Sequence, residues 1–184
     1  MSGGIYVDEA TGSTVTMGAG DMMTAVMPTV ADGTAVSGVW LTALTSMAQA
    51  RASGMAGGMT EANIVAANIA MGTYFSVGDI LKTQPMNPMV AGSGTNASHD
   101  ARNYGMTLAA MSQYARNLDM TVSSAMVTAM MGDAADGVMD GKKGSSQIPM
   151  SMGGMMGSHM MAPTAATSAL GAAMTAFMNS AANA

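Results

Sequence analysis

The residues best suited to chemistry lie between Pro149 and Pro163, where Met150, Met152, Met155, Met156, His159, Met160 and Met161 are set among glycine and serine. Thioether sulfur is a soft ligand that selects Cu(I) or Ag(I), and imidazole also suits copper. Three of these methionines with His159 would surround one ion if the chain folded round it. The candidate metal ligands are therefore Met150, Met152, Met155, Met156, His159 and Met160, and the candidate cofactor is Cu(I). A thioether does not protonate, whereas imidazole is lost as a ligand below its pKa, so a mixed site weakens on acidification. The competing reading is that Met simply packs as an adaptable hydrophobe, since 26 of the 184 residues are Met and clusters arise anywhere at that density.

A second cluster is Asp133, Asp136 and Asp140 with Gly137 and Gly141 between them. Oxygen-rich loops of this kind hold Ca²⁺, but an EF-hand needs ligands at alternate positions and a bidentate Glu at the twelfth, and this order differs. Asp-Gly pairs are turn formers, so a structural turn is the favoured reading. His99 and Asp100 precede a strongly patterned helix, where Asp100 complements the positive end of the dipole. No Gly-x-Ser-x-Gly elbow accompanies either of the two His, no Gly-Lys-Ser/Thr follows the glycines at 54, 57 and 58, and Cys is absent. Thiolate zinc sites, Fe–S clusters and cysteine nucleophiles are thereby excluded. These residues point away from an enzyme.

Composition narrows the partners. Only six Lys and Arg face eleven Asp and Glu, giving a net charge of −5, and charged residues are 9% of the chain. Six cations cannot neutralise a row of phosphates, which argues against nucleic acid. No run of 18 apolar residues exists, so no membrane span is predicted. The opening Met1-Ser2-Gly3-Gly4 has neither a basic nor an apolar segment, so an exported protein would have its signal peptide outside this chain. The length suits one domain, and Met supplies the large apolar surface that Leu usually provides.

The elements that must position these residues are mainly helices. Ile5-Tyr6-Val7 and Thr14-Val15-Thr16-Met17, separated by a turn-rich stretch, predict a β-hairpin. Asp21 is placed to cap a short helix, Met22 to Met27, stopped by Pro28. Ser37 caps a predicted helix to Arg51 with Trp40, Leu44 and Met47 at helical spacing and Gly54 as its stop. Thr60 opens another with Ile64, Ala67, Met71 and Tyr74 on one face, ending near Gly78. The strongest pattern runs from Ser98 to Leu118, where Ala101, Tyr104, Leu108, Met111, Ala115 and Leu118 alternate three and four apart. Thr121 caps a helix carrying Val122, Met126, Ala129 and Met130 and stopping at Gly132. Pro163 falls in the first turn of a last helix with Leu170, Ala173, Met174 and Phe177 on a shared face. Trp40, Tyr74 and Tyr104 read as core anchors.

The expected fold is all-α, a bundle of about five helices with a small N-terminal β-hairpin. Its parts are a hairpin plus helical domain over 1–148, a Met- and Gly-rich loop over 149–162 and a C-terminal helix over 163–184 packing on the same domain.

Several pieces occur in a telling order: Val39-Trp40-Leu41-Thr42-Ala43-Leu44-Thr45, Thr60-Glu61-Ala62-Asn63-Ile64, Phe75-Ser76-Val77-Gly78-Asp79-Ile80-Leu81 before Pro85, Tyr104 to Ser112, and Asp136-Gly137-Val138-Met139-Asp140-Gly141. Over residues 37 to 141 this order resembles an uncharacterised helical segment of large secreted or lipid-anchored bacterial surface proteins. The resemblance implies a non-catalytic module at the cell envelope or outside the cell, and carries over no catalytic residues. The Met-rich stretch resembles segments of bacterial copper-handling proteins. The expected function is a structural or interaction module of a secreted or cell-surface bacterial protein, acting on neighbouring domains or copies of itself. The alternative is Cu(I) or Ag(I) binding.

Overall fold

The computed structural model describes residues 2–150 and 159–184. Among the described residues it holds five α-helices and three small antiparallel strand pairs. The first pair, β1 (Ile5–Val7) and β2 (Thr14–Thr16), is the expected hairpin, with Tyr6 opposite Val15. Its turn is tied by the Asp8 carboxylate, which accepts from the Thr11 amide and hydroxyl.

Asp21 caps no helix of its own, and residues 22–27 are not helical. The six residues from Met22 to Met27 gain too few intrahelical bonds to offset the nucleation cost. They run irregularly instead, and the Thr24 amide donates to the Ser46 hydroxyl, whose own hydrogen goes to the Thr42 carbonyl at 2.7 Å.

α1 spans Ala43–Gly54 and starts later than Ser37 predicts. Thr42 and Thr45 form a reciprocal capping pair that fixes the start. Trp40 therefore lies ahead of the helix, half-buried, its amide bonded to the Leu81 carbonyl. α2 spans Glu61–Tyr74 with Thr60 as its cap, and buries Ile64, Ala67 and Met71 as the spacing predicts. It ends short of Gly78, so Phe75 turns inward in place of Tyr74, which is 41% exposed.

α3 (His99–Asn117) is capped by Ser98 and buried on most of its circumference from Tyr104 to Ala115. The Tyr104 hydroxyl donates to the Ile80 carbonyl and accepts from Thr42, which joins α3 to the start of α1. Burial pushes this phenol up to about 12. α4 spans Ser124–Ala134 and α5 spans Ser168–Met178, the latter starting after Pro163 rather than around it.

Helix α3 packs on α5 and α4, while α1 packs on α2 and α4. The row of neighbours is therefore α2, α1, α4, α3, α5, with α4 in the middle and α2 and α5 at the ends. The core at the centre gathers Leu44, Met47, Tyr104, Met111, Met126 and Met130. Methionine fills the positions Leu would normally hold, as composition implies.

Two further pairs were absent from the sequence reading: β3 (Lys142–Lys143) with β4 (Ser146–Gln147), and β5 (Pro149–Met150) with β6 (His159–Met160). Strands of two residues carry no alternation to detect.

Close packing rests on glycine in two places. A Cβ on Gly105 of α3 would clash with the Met86 carbonyl oxygen, and one on Gly54 of α1 with that of Ala135. Both obstacles are backbone, which cannot swing aside as a side chain does. Gly105→Ala is expected to lower stability by about 2 kcal/mol despite alanine's better helix propensity. A urea midpoint equal to or above that of the parent protein would show that the 85–87 segment yields freely.

Candidate functional site

The hairpin is tied to α3 and to the start of α4 by a rim of hydrogen bonds. The Ala10 amide donates to the Ser112 hydroxyl, and Arg116 donates to the Ala10 carbonyl. Ala10 itself is fully buried. Ser123 donates its hydroxyl hydrogen to Asp8, so the Tyr6 hydroxyl donates to Ser123. Tyr6 in turn accepts from the Ser124 amide at 3.1 Å. Ser124 donates to Asp21, which also accepts from Thr128. The first turn of α4 is thus capped by a tyrosine more than a hundred residues away, and not by the predicted Thr121. Its orphan amide is satisfied across the tertiary fold.

Beneath this rim lies a cavity of about 190 Å³, partly open to solvent. Met23, Leu41, Leu108, Met111 and Val127 supply its apolar wall, and Tyr6, Thr42, Ser112, Ser123 and Ser124 its hydroxyls. Glu9, in the hairpin turn, is the carboxyl-bearing residue on the wall. Among the described residues, its carboxylate finds no hydrogen-bond donor beyond its own backbone. Burial pushes the Glu9 carboxyl up to about 7, opposed by that backbone bond, with neighbouring Asp8 adding to the rise. A carboxyl that titrates near neutrality inside an apolar concavity marks a candidate binding site. Sequence reading passed over Glu9, because a Glu in a polar turn looks like a solvated charge.

The residues singled out from the sequence fall elsewhere. Met152, Met155 and Met156 lie outside the described residues. Met150 packs in the core, whereas His159 and Met160 are exposed on β6. Met150 and His159 pair directly across β5 and β6, and neighbouring Met161 is buried. Among the described residues no three His, Asp or Glu side chains converge as a metal ion would require.

The aspartate cluster is a turn held by carboxylates. Asp133 is fully buried in the last turn of α4, and its Oδ1 accepts from the amides of Asp140, Gly141 and Lys142 at 3.0, 2.6 and 3.2 Å. Asp136 accepts from the amides of Val138 and Gly144, which holds its carboxyl below the usual range. Burial outweighs the three amides at Asp133 and pushes its carboxyl up. His99 is exposed, and Asp100 accepts from the Gly78 amide at 2.6 Å, tying the start of α3 to the end of the α2 region.

Compared with protein-family models, with curated proteins and with solved structures, the chain matches none.

Proposed function

We propose that this chain is a non-catalytic helical-bundle module of an exported bacterial surface protein, and that it works by associating with a second copy of itself. The observation that carries this reading is the outward face of α2. That helix stands at the end of the row of helices and is covered by α1 on one side. Its other side presents Ala62, Val65, Ala66 and Ile69, one above another at helical spacing, and Ile69 is 60% exposed. A helix facing solvent normally carries charged or polar residues on that side, and these four positions carry none. The sole charge on α2 is Glu61 at its start, so a two-fold pairing of this face with itself brings together no opposed like charges along the contact.

The hairpin offers a second surface of the same kind. Ile5 and Val7 are exposed on β1, and neither strand carries the Lys or Pro that usually protects an edge. The low overall charge leaves little repulsion between copies.

Light scattering over a concentration series is expected to give a reversible dimer. Ile69→Glu should shift it to monomer with an unchanged thermal midpoint, because the position touches no core. A monomer at millimolar concentration, or a dimer indifferent to Ile69→Glu, would remove this reading.

A further inference from the structure

We propose that the cavity beneath the hairpin binds a small primary amine in its ammonium form, carried on a compact apolar body, with the Glu9 carboxylate as its counter-ion. The direction of the wall hydrogens selects the ligand. Tyr6 donates to Ser123, Ser123 to Asp8 and Ser124 to Asp21. Tyr104 donates to Ile80, so Thr42 donates to Tyr104. Four of the five wall hydroxyls have therefore committed their hydrogens to protein acceptors, and each also accepts one protein donor, so what remains for a ligand is one lone pair apiece. A ligand rich in acceptors finds few donors here, and an anion also meets Glu9. An ammonium group brings three donors and a positive charge, which is what the wall lacks.

Size and apolarity set the rest of the ligand. An apolar cavity of about 150 Å³ holds benzene. One of about 190 Å³ walled by Met23, Leu41, Leu108, Met111 and Val127 holds a six-carbon body with a one-carbon arm and a nitrogen. The opening to solvent gives a route of entry. The charged and titratable groups around Glu9 are Asp8 beside it, Tyr6 in β1, Asp21 beyond β2, bonded to Ser124 of α4, and Arg116 of α3, which is engaged with the Ala10 carbonyl. None of them supplies a cation inside the cavity.

Only the ionised carboxylate pairs with an ammonium, so apparent affinity follows the ionised fraction of Glu9. With a carboxyl that titrates at about 7, that fraction rises about tenfold between pH 6 and pH 8. Benzylamine is the probe, because it stays protonated throughout that range, and benzyl alcohol is its neutral match. Calorimetric titration of the full chain is expected to show benzylamine binding that strengthens about tenfold from pH 6 to pH 8. Benzyl alcohol should bind more weakly at pH 8 and without pH dependence. Glu9→Gln should weaken benzylamine at least tenfold at pH 8 and flatten its profile. Amide shifts in NMR spectra should centre on Glu9, Leu108 and Ser123.

The wild-type pH profile stands as a test in its own right if the variant folds poorly. No benzylamine binding at pH 8, equal binding of amine and alcohol, or amine binding unchanged in Glu9→Gln would each overturn the proposal. The outcome is independent of whether the chain dimerises through α2.

Discussion

Asp133→Ala is expected to be the most damaging single substitution at a polar position, lowering stability by about 3–5 kcal/mol. One oxygen of this buried carboxylate gathers three consecutive backbone amides, those of Asp140, Gly141 and Lys142. Removing it leaves the Asp140 and Gly141 amides without an acceptor, each costing roughly 1–3 kcal/mol when unpaired, while the Lys142 amide keeps the Asp140 carboxylate at 3.1 Å. Against a total stability on the order of 5–15 kcal/mol, that loss approaches unfolding. The turn it holds leads into β3 and then β5, so the strand pairs on that side should loosen with it.

Asp133→Asn separates the acceptor from the charge. The amide keeps a carbonyl oxygen for the three donors and removes a charge that burial disfavours. It replaces Oδ2, which has no partner among the described residues. Its cost should be about 1 kcal/mol, far below that of alanine. Urea denaturation followed by circular dichroism measures both. Alanine and asparagine variants of equal stability would show that the amides find other acceptors, and the turn would then not depend on Asp133.

Glu9→Gln should act in the opposite direction and only above acidic pH. The folded-state carboxyl titrates at about 7 against a model value of 4.5. Between those two values the folded protein holds the proton more tightly than the unfolded chain, so stability falls as pH rises through that window. The destabilisation is complete above about 7 and absent below 4.5. A shift of this size corresponds to about 3 kcal/mol. Glutamine carries no such charge, so the variant should match the parent near pH 4 and exceed it by up to about 3 kcal/mol at pH 8. Denaturation midpoints of the two proteins across that range give the difference directly, since all other groups titrate in both. Parallel pH curves would mean that Glu9 is well solvated. Asp133, also pushed up by burial, adds a decline of the same sign starting from its lower model value.

A residue can thus lower stability at neutral pH and still persist where it serves a ligand. An unpaired carboxylate in an apolar wall is strained in energy until a cation arrives. Ammonium binding and folding stability are linked through the same proton.

Most of the longer helices and the N-terminal hairpin were legible in the sequence by itself, whereas the expected helix over 22–27 and the two-residue strand pairs were not. Tyr104, Met111 and Ala115 recur seven and four apart and lie buried on α3, with Leu108 between them partly buried, because an apolar stripe of that length is stabilised by packing against neighbours. Thr60 and Ser98 cap α2 and α3 as their positions predict, since capping needs a side chain and an amide three residues on. Ile5-Tyr6-Val7 and Thr14-Val15-Thr16 pair as a hairpin because β-prone runs flank a turn.

What the tertiary structure decided involves partners far apart in the chain. Asp21 and Thr121 have the right chemistry for local caps, yet Asp21 serves Ser124 and Thr128, and Tyr6 reaches the α4 amide. Phe75 displaces Tyr74 from the core because α2 ends a turn early. Glu9 is a surface charge by every local criterion and becomes otherwise only when the hairpin folds over Leu108, Met111 and Val127. Periodicity and capping act over a turn or two of helix, whereas the environment of a carboxyl is set by whatever the whole chain places beside it.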